Sequence, residues 1–190
     1  ADGHAWRARA CAVLTGIGTV LADNPVLNVR ELTTPRQPQL VVLDSHLQTP
    51  PDASLFIADR ACIIYAAGPL DAEFSARKAV LEARGATVVH LPGADGRVDL
   101  PALLRDLAAR GVNELHVEAG HRLNGALVRA GLVDEWLLYL APTLLGPGRG
   151  MADMGPLETL AQGLALQFQD VERLGPDLRV LARVMGRDAF

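Results

Sequence analysis

Along the first two-thirds of the chain, short dense apolar runs alternate with amphipathic stretches. The runs at residues 12–17, 39–43, 61–65, 86–91 and 114–118 have almost no polar side, as strands do when helices cover both faces of a sheet. Between them, residues 19–23 form a brief helical turn that Pro25 stops. Residues 71–84 carry helical spacing, opened by an aspartate and stopped by Gly85. Residues 100–110 form a second helix, with Pro101 in its first turn and Gly111 past its end. A third helix spans 124–130 and stops at Gly131, and a strand spans 135–141 up to Pro142. After the loop Gly146-Pro147-Gly148-Arg149-Gly150 the texture changes. Residues 164–174 and 178–185 alternate as a hairpin does, with Gly175-Pro176-Asp177 as its turn. Ahead of the first strand, Ala1 to Arg7 show no apolar period and run almost directly into it.

This order predicts one α/β domain: a mostly parallel sheet flanked by helices, with an antiparallel C-terminal strand pair. Ligands of such sheets bind beyond the carboxyl ends of the strands. Three loops with suitable chemistry fall there: residues 16–30, Asp44-Ser45, and 118–126. In the third, a strand ends in a lone carboxylate, Glu118. Gly120 follows, then a helix with Gly125 in its first turns, so backbone N–H groups and the positive end of a helix dipole face outward. A phosphate or pyrophosphate suits those donors, and Glu118 suits a hydrogen-bonding part of the same or a second ligand.

Composition narrows the classes. Aromatic residues are only 4%, so Leu, Val, Ile and Ala must build the core. A net charge of −4 and the lack of any basic block argue against nucleic acid. Cys11 and Cys62 lie inside apolar runs and read as reduced, buried thiols. No metal-ligand spacing occurs among the five histidines. The chain has no apolar run long enough for a bilayer and no signal peptide, which places the expected protein in the cytoplasm, away from membranes. Its start, without methionine, reads as a piece of something longer. Asp134-Glu135 point apart in a strand and are no catalytic pair. His116 reads as a core histidine, His121 and Arg149 as loop residues, and Ser45 lacks the partners of a hydrolase nucleophile.

With these loops together, the chain resembles the reductase domain of the bifunctional riboflavin-biosynthesis deaminase-reductase. The similarity rests on Gly16-Ile17-Gly18-Thr19-Val20-Leu21-Ala22-Asp23-Asn24-Pro25 with Leu27, Val29 and Arg30, on Val42-Leu43-Asp44-Ser45, and on Val117-Glu118-Ala119-Gly120 through Leu127. Three more segments carry it further: Ala130 through Glu135, the strand Leu138–Pro142 with Leu144-Leu145-Gly146, and the closing Gly175-Pro176-Asp177. The resemblance implies a dihydrofolate-reductase-like fold and NADPH-dependent reduction of 5-amino-6-(5-phosphoribosylamino)uracil to the ribitylamino compound, with hydride delivered to C1′ of the opened ribose and no metal. It implies cofactor contacts at Thr19, Asp23, Ser45 and Gly120, His121, Arg122, Leu123, Asn124, Gly125 and Ala126. Substrate contacts fall at Arg7, Leu27, Arg30 and Glu118, and Asp23 is the candidate acid beside a water. Arg7 and Arg30 are expected on the 5′-phosphate and Glu118 on the pyrimidine. A homodimer is expected, with a deaminase domain in the same native chain. The family's N-terminal strand and Trp-containing loop are expected to precede Ala1, so residues 1–190 form a single reductase domain without them. The alternatives are a related NADPH reductase acting on another pterin or pyrimidine, and a truncated, non-catalytic module that binds nucleotide or dimerises.

Overall fold

A computed structural model describes residues 2–187, and the chain divides into two compact units at Gly120/His121. In the first unit, β1 (Ala12–Gly16), β2 (Gln39–Leu43), β3 (Cys62–Ala66), β4 (Ala86–His90) and β5 (Leu115–Val117) form one parallel sheet in the order β4-β3-β2-β1-β5. Connections run outward from β1 to β4, then cross back to place β5 on the other side of β1. The strand order therefore reverses between β1 and β5, the position at which such sheets open a crevice for ligands.

Both faces of this sheet are covered, which is why its strands read as unbroken apolar runs. On one face the register rows Val13/Leu40/Cys62/Ala86 and Val42/Ile64/Val88 join Val20 of α2 (Ile17–Asp23) and Phe74 and Leu81 of α3 (Ala72–Ala83). On the other face Leu14, Val41, Ile63 and Tyr65 are buried, as are Leu103 and Leu107 of α4 (Leu100–Ala109). The Tyr65 hydroxyl donates to Asp106 of α4 at 2.6 Å and so ties the two layers together. Aspartates cap both long helices: Asp71 accepts from the Phe74 N–H and Asp99 from the Ala102 N–H, each at 2.8 Å. Gly85 and Gly111 leave them with positive φ.

The segment read as a plain lead-in to β1 is a helix, α1 (Asp2–Arg9). It has no apolar stripe to announce it, because its anchors are polar: Arg7 meets Glu118 and Arg9 meets Glu114. Cys62 is buried as expected, whereas Cys11 is only half-buried; both thiols are free.

The second unit holds α5 (His121–Arg129), β6 (Glu135–Leu140), β7 (Leu166–Leu174) and β8 (Asp177–Val184). The antiparallel pair is larger than expected. β6 joins it along its whole length, giving a three-stranded sheet of order β6-β8-β7 separate from the parallel one. The apolar composition of β6 resembles that of a parallel core strand, and composition carries no strand direction. α5 begins three residues earlier than its spacing suggests, since no capping side chain marks its start.

Gly125 in α5 has a packing reason. A Cβ there would collide with the backbone of Asp153. The 151–153 segment is drawn onto the helix by the Asp153 N–H bond to the His121 carbonyl at 2.8 Å, by Asn124 Nδ2 to the Met151 carbonyl at 2.9 Å, and by Arg129 to the Asp153 carbonyl. Glycine-to-alanine in a helix interior ordinarily stabilises by about 1 kcal/mol. Here Gly125→Ala is expected to destabilise by about 1–3 kcal/mol through overpacking. Urea unfolding followed by circular dichroism checks the sign.

Candidate active site

At the carboxyl end of β5, Glu118 continues the pairing with β1. Its N–H donates to the Leu14 carbonyl and its own carbonyl accepts from Thr15 Oγ1, both at 2.8 Å. The backbone thus fixes where the carboxylate starts. Arg7 of α1 then clasps it with two parallel bonds, Nε to Oε1 at 2.5 Å and Nη2 to Oε2 at 2.7 Å. A third donor, Arg7 Nη1, reaches the Asn28 carbonyl at 3.0 Å. His116 Nε2 stands 3.5 Å from Glu118 Oε1. The histidine expected in the core is thus part of this polar cluster, since alternation along β5 puts residues 116 and 118 on the same side.

Burial by itself would raise the Glu118 carboxyl. The hydrogen bonds from Arg7 and His116 outweigh it, and with the Arg7 charge they hold the group down at about 2. Glu118 is therefore a carboxylate under any physiological condition, an acceptor and not an acid.

Residues 24–30 form the loop facing this pair, and their backbone is held almost wholly by side chains. Asn24 Oδ1 accepts from the Ser54 N–H at 2.7 Å. Arg60 donates to the Val26 carbonyl and, at 2.7 Å, to the Leu27 carbonyl. Gln37 pairs with Val29 like a strand neighbour, accepting from its N–H at 2.8 Å and donating to its carbonyl at 2.9 Å. Asn24 and Leu27 take left-handed conformations, with φ of 42° and 54°. Desolvation lowers the Arg60 guanidinium to about 10, and it is near enough to Arg7 and Glu118 to feel both charges. Arg7 alone binds the carboxylate, while Arg60 rests on the carbonyls of the loop.

The other expected positions fall as follows. Leu27 is buried. Arg30 is exposed, its Nη1 3.5 Å from Asn28 Oδ1, so most of its fork faces solvent. Thr19 is half-buried on α2, and Asp23 is exposed at that helix's last position. Ser45 follows β2, and its carbonyl accepts from the Ala67 and Gly68 N–H groups at 3.0 and 2.6 Å. Arg7 and Glu118 are brought together directly, and Arg7 also reaches the carbonyl of Asn28, the neighbour of Leu27. Thr19, Asp23 and Ser45 share the carboxyl end of the sheet without bonds to one another. Gly120 closes the first unit, and His121 to Ala126 are the opening turns of α5 in the second. Asn124 and Gly125 there are engaged by the 151–153 segment.

Asn28, Gln37 and Arg60 were not expected in the site from the sequence. A lone arginine directly before a fully buried strand was the signal available for the last. Among the described residues, no cluster of His, Cys, Asp or Glu could hold a metal ion, and no helix is long and apolar enough to cross a membrane.

A parallel sheet with a polar cluster at its switch point, followed by an antiparallel sheet, makes this an α/β protein with its candidate site at the carboxyl ends of the strands. The chain belongs to the RibD C-terminal domain family, whose model matches residues 1–180. It is 34% identical over 182 residues to the riboflavin biosynthesis protein RibD of Escherichia coli, covering 93% of this chain and 50% of that protein. It is 33% identical to the 2,5-diamino-6-ribosylamino-4(3H)-pyrimidinone 5′-phosphate reductase of Methanothermobacter thermautotrophicus, covering 96% and 84%. Among solved structures, Acinetobacter baumannii RibD superposes with a TM-score of 0.81 at 31% identity, covering 97% of this chain and 49% of that one. The chain spans about half the length of the RibD relatives it matches. The dihydrofolate-reductase-like α/β class expected from the sequence agrees with these structures.

The Glu118 shift fixes a pH dependence. Its folded value, about 2, lies below the ordinary 4.5, so the pair's stabilisation is complete above about pH 4.5 and is lost as pH falls through about 2. Glu118→Gln should flatten the decline in unfolding free energy over that window. An unchanged acid limb in denaturant titrations at stepped pH would contradict this.

Proposed function

We propose that this chain is the reductase of riboflavin biosynthesis that converts the ribosyl group of 5-amino-6-(5-phosphoribosylamino)uracil to ribityl, using NADPH. The observation that carries the proposal is the Arg7–Glu118 clasp at the switch point of the sheet, with the open guanidinium of Arg30 on the adjoining loop. Net positive charge beside a fixed acceptor suits a phosphorylated, hydrogen-bonding pyrimidine.

A nicotinamide cofactor fits the residues present. The first turns of α2 and α5 carry no acidic residue, and a Cβ at Gly18 or Gly120 would meet nothing within 4 Å, so backbone can be approached closely there. In this proposal Thr19, Asp23 and Ser45 are cofactor contacts, and of the contacts expected at Gly120, His121, Arg122, Leu123, Asn124, Gly125 and Ala126, Asn124 and Gly125 are taken up instead by the 151–153 segment. When bound, reduced nicotinamide supplies the hydride that C1′ of the opened sugar accepts. Arg30 binds the 5′-phosphate with the donors it keeps free. Arg7 has two N–H groups left after its three bonds, so it assists from the side while orienting Glu118, which accepts from the pyrimidine N–H or amino groups. Asp23 or a water provides the proton that completes the reduction. A cytoplasmic homodimer, with a deaminase domain in the same native chain, belongs to the same proposal.

The archaeal relatives favour a second pyrimidine, because their name specifies the 2,5-diamino compound and this chain spans most of their length. Oxidation of NADPH and NADH, followed at 340 nm with each pyrimidine phosphate, decides among these. Turnover with the uracil compound, faster with NADPH, is expected; activity only with the diamino compound would reassign the substrate. Arg30→Ala should raise KM for the phosphorylated pyrimidine roughly ten- to a hundredfold, the effect of one charge-assisted bond. An unchanged KM would remove Arg30 from the phosphate.

A further inference from the structure

The loop at residues 24–30 contains one reversal that does not hold itself. Asn24 is the left-handed C-cap of α2 and is held by its own N–H bond to the Val20 carbonyl, but Leu27 also sits in the left-handed region, and leucine has no local hydrogen bond with which to compensate for it. Such a conformation persists only where its surroundings impose it. The carbonyls of Val26 and Leu27, on either side of the reversal, have Arg60 as their partner. Arg60 lies just ahead of β3, the most buried strand of the sheet, so its point of attachment is rigid. Its side chain rests on two carbonyls rather than on a carboxylate, and its Nε is buried with no hydrogen-bond partner. A cation placed this way is costly for stability alone, whereas a planar fork bridging two successive carbonyls fixes a turn that a single ammonium cannot fix equally well.

We infer that Arg60 is a positioning residue: by bridging the Val26 and Leu27 carbonyls it holds the reversal that seats Leu27 in the core and presents Arg30 to the substrate. This rests on the proposed substrate role of Arg30. Desolvation of the guanidinium agrees with this picture, as does its proximity to Arg7 and Glu118. Arg7 grips the next carbonyl, that of Asn28, so three consecutive carbonyls are held by two guanidinium groups.

The test compares the full chain with Arg60→Lys, Arg60→Met and Arg60→Ala. Amide hydrogen exchange is read across residues 24–31 and across β1 to β3, and KM is measured separately for the phosphorylated pyrimidine and for NADPH. In Arg60→Met, exchange should quicken in 24–31 alone, and the pyrimidine KM should rise at least tenfold while that for NADPH stays within twofold. Arg60→Lys should fall between, and millimolar guanidinium ion should restore part of the loss in Arg60→Ala. Unchanged exchange in 24–31 would overturn the inference. So would a uniform loss of protection across the sheet in the lysine variant, with both KM values shifted together. If the unaltered chain turns over neither pyrimidine, the substrate reading fails by itself, and exchange in 24–31 still decides whether Arg60 sets the loop.

Discussion

The clasp between Arg7 and Glu118 is the interaction on which the first unit's chemistry depends. It joins the chain's first helix to its fifth strand across 111 residues, and the same guanidinium reaches the Asn28 carbonyl. Three segments that regular structure does not join are therefore set by one side chain. Ion pairs on a surface contribute little, but this one is largely withdrawn from water, where an unpaired partner would be costly. The arrangement also consumes most of arginine's donors. Arg7 cannot grip an anion with its full fork unless it first releases Glu118, which leaves Arg30 as the open group of the two.

The parallel sheet supplies the frame for that interaction. Its reversal of strand order puts the ends of β1 and β5 side by side, and the Glu118 backbone is bonded to Leu14 and Thr15 of β1. Covered on both faces, the strands hold these ends rigidly, while the irregular loop beyond β1 takes its shape from distant side chains. Rigidity thus comes from apolar packing, and specificity from a few charged groups at the rim.

The sequence made the apolar part of this plan legible. The five parallel strands, α3 with its aspartate start, α4 with its first-turn proline, their terminal glycines, and the hairpin turn at Gly175 all follow from patterning and local chemistry. What escaped was held by polar or long-range contacts. α1 has no hydrophobic stripe, because Arg7 and Arg9 anchor it through glutamates far along the chain. The pairing of β6 with β8 depends on direction, which composition does not encode. Glu118 was visible as a carboxylate at a strand end, but nothing local reveals that Arg7 already occupies it. Arg60 was passed over because a single charge before a strand resembles an ordinary solvated residue.

The bulge in β7 between Phe168 and Asp170 has a further consequence. β7 is an edge strand, and edges with free N–H and C=O groups invite foreign strands to add on. The bulge interrupts the ladder's even spacing, and Asp170 and Glu172, both bonded to Arg179, line the strand with charge. An incoming strand would meet a broken register and have to bury charge alongside the exposed Phe168 and Val171. The irregularity therefore discourages amyloid-like extension at a border that the fold leaves open.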